Sequence, residues 1–237
     1  MILILPALPA RDLPPRFFRV HFLTALGLLG VVGVFMADSA TLVFWALYAG
    51  ALLWCVFGSI VWHLDEAPGG RLAIWVTPII LMACMILGGT LVRGDRDSAL
   101  RISDDIGSAL VVGSALTAML IGHTYLISPA MTITPLLRLL AALGVAIVVR
   151  LALACYGLWL WSAERSIASM ETELMLWMAV RWALGLLAPM VLGWMAWETA
   201  RIRSTQSATG ILYVVVIVCF LGELTSMLVA EKTGLPM

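Results

Sequence analysis

Three residues of this chain sit where ionised groups are expensive: Arg150, Arg181 and Glu223 each lie inside a long apolar stretch. On insertion scales an Arg or carboxylate at the bilayer centre costs roughly 2.5–3.5 kcal/mol, so such groups pair and turn toward protein. Arg181 and Glu223 fall at matching depth, roughly 10 Å inside the ends of consecutive spans, where a charge-assisted pair is expected. Arg150 is deeper, roughly 16 Å from the same side. Its helical face, Ala142, Ala146, Arg150, Ala154 and Gly157, is a small-residue stripe that admits a neighbouring helix. Two arginines against one glutamate leave a positive charge over, which calls for water in a cavity or an anion from elsewhere. The chemistry open to this cluster is a proton or small-solute path, or an anionic ligand. The alternative that needs no ligand is a salt bridge that fixes helix register.

All three histidines, His21, His63 and His123, fall near span ends on one side of the membrane. Two imidazoles from facing helices are what a bis-His haem b requires, with arginines for its propionates. His63 and His123 lie at comparable depth, and Arg71 and Arg138 follow them on the same side. A metal site from His21, His63, His123 and Glu198 is a lesser reading, and side chains resting at headgroup level is the plain one. The third polar feature is the hairpin from Glu198 to Gly210. Arg201, Arg203 and Gln206, with its hydroxyls and free backbone N–H groups, suit a haem propionate, an anionic headgroup or the polar head of a quinone. Trp194, Trp197, Glu198 and Arg201 share one helical face, with Trp as an interfacial anchor.

These residues need elements to hold them, and composition decides which. The chain is 62% hydrophobic and 12% charged, against about 25% charged for a soluble domain. A span needs about 20 mostly apolar residues. Seven segments qualify: 17–36, 41–64, 72–92, 106–127, 134–161, 174–197 and 208–230. The runs are too long for barrel strands and lack period-2 alternation, so the fold class is an all-α polytopic transmembrane bundle, read as one seven-helix membrane domain over 1–237. Basic residues favour one side, with Arg11, Arg16, Arg19, Arg71, Arg138, Arg201 and Arg203 against Arg93, Arg96, Arg101, Arg165 and Lys232. The positive-inside rule then puts the N-terminus in the cytoplasm and the C-terminus outside.

Asp104 and Asp105 are assigned to the outer loop before the fourth span. The N-terminal stretch, broken by Pro6 and Pro9, reads as an uncleaved lead-in, and Pro189 as a kink in the sixth span. Cys55, Cys84, Cys155 and Cys219 form no metal-knuckle spacing and read as small hydrophobes. A net charge of zero suggests no nucleic-acid partner. The partners expected are membrane lipids and other membrane subunits, in a bacterial inner membrane. No nucleotide-binding loop, serine-hydrolase elbow or zinc-protease helix occurs. The functional expectation is a membrane subunit of an electron-transfer system with haem b or quinone. The alternatives are a non-catalytic scaffold or assembly subunit, and a small-solute or proton transporter centred on Arg150, Arg181 and Glu223.

Overall fold

A computed structural model describes residues 1–10, 12–36, 41–64, 68–93, 98–128, 131–164 and 171–235. Arg11, Arg96 and Arg165 of the orientation comparison lie outside the described residues, as does the side chain of Arg93. Among the described residues the chain is helical throughout, without strands, and seven helices are long and apolar enough to cross a membrane.

The helices are α1 (Pro15–Phe35), α2 (Leu42–Val61), α3 (Gly70–Arg93), α4 (Ser98–Ile127), α5 (Thr134–Glu164), α6 (Thr172–Val180), α7 (Ala188–Arg201) and α8 (Thr205–Thr233). A π-helical segment, Arg181–Leu187, joins α6 to α7, so the three together make the sixth crossing, Thr172–Arg201. The chain divides into two compact units, Met1–Ser98 and Ala99–Met237.

In the first unit α1 begins at Pro15, where the absent N–H costs nothing, and Thr41 caps α2 by accepting from the Phe44 N–H at 3.3 Å. Phe18 stacks on Trp62 with ring centroids 4.3 Å apart, and the Phe22 ring lies against Gly58, which has no Cβ to obstruct it. The lead-in is not a mere tether. Ile2–Ala7 forms a 3-10 helix, buries Ile2, Ile4 and Leu5, and packs on α1 and α3. Pro6 stiffens this wholly apolar segment, which helps so short an element stay docked.

In the second unit α8 packs along the whole sixth crossing, and α5 packs on α7. The buried face of α5 is the small-residue stripe carrying Arg150. α4 starts at Ser98, about two turns earlier than the hydrophobic run implies, which draws Asp104 and Asp105 out of the loop and into a helix. Pro189 sits at the start of α7, directly after the π segment. A proline cannot donate to the carbonyl four residues back and its ring crowds it. Here that carbonyl belongs to Gly185, and the chain absorbs the conflict by widening the preceding turn. The Ala188 N–H reaches the Ala183 carbonyl, a π-type bond.

Candidate functional site

The second unit holds one buried ionic layer, and four crossings contribute to it. Arg150 of α5 is 1% exposed and Arg181, first residue of the π segment, is 0% exposed. The Arg150 Nε donates to both carboxylate oxygens of Glu223 at 3.1 Å, and its Nη2 donates to Glu223 Oε2 at 2.8 Å. Arg150 Nη2 also donates to Ser226 Oγ at 2.9 Å. Arg181 Nη1 donates to Glu223 Oε1 at 3.2 Å, and Ser108 Oγ to Glu223 Oε2 at 2.6 Å. On the far edge of the Arg150 guanidinium, Nη1 is ion-paired with Asp104 Oδ1.

Asp104 is the residue that sequence reasoning missed. It supplies the second carboxylate, so two arginines face two acids and the layer is neutral without a foreign anion. The misreading came from counting Asp104 with the surrounding charged residues as solvated loop. A signal was present: Asp104, Gly107, Ser108, Val111, Ala115 and Ala118 recur at helical spacing, and the last five continue one polar-to-small face into the span. Asp104 is also the member nearest water, its side chain 16% exposed against 7% for that of Glu223.

Glycines set the spacing. A Cβ on Gly107 would lie 3.3 Å from Arg150 Cδ, so that glycine lets the arginine stem cross α4. A Cβ on Gly185 would lie 2.6 Å from the Gly222 Cα and 2.9 Å from Arg181 Nη1. The π segment and α8 therefore touch backbone to backbone beside Glu223, and this contact brings Arg181 within reach of it. Apolar clusters flank the layer on both sides. Trp161, Leu174 and Val229 lie toward the C-terminal end of α8, and Val111, Leu143, Ala146, Ile147, Val215 and Cys219 lie on the other side.

Comparison with protein-family models, with curated proteins and with solved structures finds no match.

The other candidate residues are placed less centrally. His63 is exposed at the end of the α2 crossing, its Nδ1 3.0 Å from Arg19 Nη1, so it acts there as acceptor. His123, Arg71, Arg138, Arg201, Arg203, Gln206 and Glu198 are exposed on their helices or turns. Arg201 and Glu198 approach to 3.4 Å. His21 is different: it is 0% exposed, its Nδ1 donates to the Phe17 carbonyl at 2.8 Å, and its Nε2 has no hydrogen-bond partner. Among the described residues no three His, Cys, Asp or Glu side chains gather as a metal set.

The α7–α8 turn carries one strained residue. Arg203 adopts φ +59°, the left-handed region, while its N–H bonds to the Ala200 carbonyl at 2.9 Å and the Ser204 N–H to the Thr199 carbonyl at 3.0 Å. That is a Schellman closure with arginine where glycine is usual.

Proposed function

We propose that the chain is a non-catalytic scaffold or assembly subunit of a membrane complex, in which the Asp104–Arg150–Glu223–Arg181 layer locks the register of four crossings. The observation that carries this reading is the charge balance. Ionic groups that satisfy one another between apolar seals behave as a specificity device, and a translocation site needs a charge left for its cargo. The orientation is N-terminus in and C-terminus out, in a bacterial inner membrane, supported by the arginine bias alone.

The test replaces the layer rather than breaking it. Asp104→Leu, Arg150→Met, Arg181→Met and Glu223→Leu are combined in one variant, since buried ion pairs are often replaceable by apolar residues of similar volume. The expected result is a folded variant that keeps the same stoichiometric partner subunits as the wild type in mild detergent. A wild-type chain that purifies alone and drives proton or solute flux in proteoliposomes, with flux lost in the folded variant, overturns the reading in favour of transport.

One observation favours electron transfer as a second reading. His21 holds its ring by a bond from Nδ1 to a backbone carbonyl and keeps an unpartnered Nε2 inside the first unit, the arrangement by which proteins orient an imidazole ligand. This reading takes haem b on His21, with quinone as the exchange partner. A Soret band in the purified protein that disappears in His21→Phe supports it; a colourless wild type sinks it.

A further inference from the structure

In the first unit the N-terminal lead-in and the start of α3 frame a hollow of about 370 Å³ that carries charge of both signs. Pro6, Pro9, Ile74 and Trp75 form its walls, and Asp12 and Arg71 line it with them. The volume falls in the ~300–1,000 Å³ range of small-molecule sites.

Backbone geometry builds the hollow. The Ile2–Ala7 helix docks on α1 and α3, and Leu8 leaves it extended, at φ −91° and ψ 138°, with its side chain buried. The Asp12 N–H then donates to the Pro9 carbonyl at 3.0 Å, a turn that brings the acid to the wall. On the α3 side, Ala73 and Ile74 are 0% and 3% exposed and pack inward. Arg71 and Trp75, one turn apart, share the neighbouring exposed face.

Arg71 and Asp12 line one hollow without forming an ion pair with each other, and among the described residues neither is paired elsewhere. A guanidinium and a carboxylate held apart in this way suit a molecule that itself carries an anion and a cation. The depth is interfacial. The third crossing starts at Gly70, so Trp75 lies roughly 8 Å inside it, where indoles sit between headgroups and hydrocarbon. Trp75 and Ile79 continue the row from Arg71 at helical spacing and are 61% and 68% exposed. That row is an apolar ridge leading from the hollow toward the acyl region.

We infer that this hollow binds the headgroup of an aminophospholipid, phosphatidylethanolamine, with its phosphate on Arg71, its primary ammonium on Asp12 and an acyl chain along Trp75 and Ile79. A primary ammonium offers three N–H donors to the carboxylate. The quaternary ammonium of phosphatidylcholine offers none, and phosphatidylglycerol brings no cation to Asp12. The inference goes beyond the proposed function and is independent of it, since the hollow lies wholly in the first unit and the ionic layer in the second.

The experiment uses the full chain in nanodiscs of phosphatidylethanolamine, phosphatidylcholine and phosphatidylglycerol, in equal mole fractions and with identical acyl chains. Lipid retained after gentle re-extraction is counted by native mass spectrometry. Phosphatidylethanolamine should be retained over each of the others by roughly tenfold, the order that one charge-assisted hydrogen bond confers. Asp12→Ala should bring its ratio to phosphatidylcholine to unity, and Arg71→Gln should lower retention of both. Arg201→Gln, at an exposed arginine of the second unit, should change neither. Soluble phosphoethanolamine, added at the concentration of the lipid, should not displace it. Equal retention by the wild type, a preference for phosphatidylglycerol, a preference that survives Asp12→Ala, the same loss in Arg201→Gln, or displacement by the soluble headgroup would overturn the site as a lipid site. Asp12 and Arg71 are exposed, and unchanged circular dichroism marks a folded variant. Should either variant not fold, the wild-type ratios still decide.

Discussion

Replacing Glu223 by glutamine removes one charge and leaves the shape nearly unchanged, so its effect isolates electrostatics. Glu223 accepts from Arg150, Arg181 and Ser108, and is 5% exposed. With glutamine there, two buried guanidiniums face only Asp104, and the amide NH2 competes with them for acceptors. Removing one partner of a buried ion pair costs about 3–5 kcal/mol, a shift of at least 10²-fold in the unfolding equilibrium. Asp104→Asn should cost less, about 1–2 kcal/mol, because its side chain is 16% exposed and water can reach the abandoned Nη1. The reasoning has an internal check. Glu223→Gln combined with Arg181→Met restores neutrality through the Arg150–Asp104 pair, so the double variant should recover at least ~1 kcal/mol relative to the sum of its singles. Reversible unfolding in mixed detergent micelles, followed by circular dichroism, reads all four proteins. Additive singles, or an Asp104→Asn loss larger than that of Glu223→Gln, would refute a coupled buried network.

Three further outcomes rest on local geometry. Gly222→Ala should destabilise by about 1–3 kcal/mol, since its methyl would overlap the Gly185 backbone, while Gly144→Ala, whose methyl enters open space, should stay within about 0.5 kcal/mol of wild type in the same unfolding assay. Deleting the exposed Leu184 should turn the π segment into α-helix and swing Arg181 by roughly 100° about the axis, costing as much as Arg181→Met; hydrogen exchange at α8 would show the loosening, and unchanged protection would count against the π turn as the device that aims Arg181. Arg203→Gly should raise stability by about 1 kcal/mol by relieving a left-handed non-glycine residue; a melting temperature that falls instead would mean that the Arg203 side chain makes a contact worth more than its strain.

The legible part of this protein followed from solvent. Seven apolar runs of spanning length demand helices, because backbone polar groups have no partner in hydrocarbon, and all seven appear among the described residues. The same cost turned Arg150, Arg181 and Glu223 inward, and the small residues flanking Arg150 marked the buried face of α5. Where the reading stopped, local composition and tertiary packing disagreed. Asp104 sits among charges that resemble a loop, yet its helix extends because Arg150 offers a partner. The N-terminal segment reads as a lead-in, yet it buries Ile2, Ile4 and Leu5 once α1 and α3 provide a surface.

Sequence alone determined the helix class, the crossings and the identity of the ions that had to be hidden, since each of these is a one-body question of a residue against lipid. Tertiary structure alone decided which acid balances which arginine and where two glycines let backbones meet. Those are contacts between residues dozens of positions apart, and their energies exist only after the helices have packed.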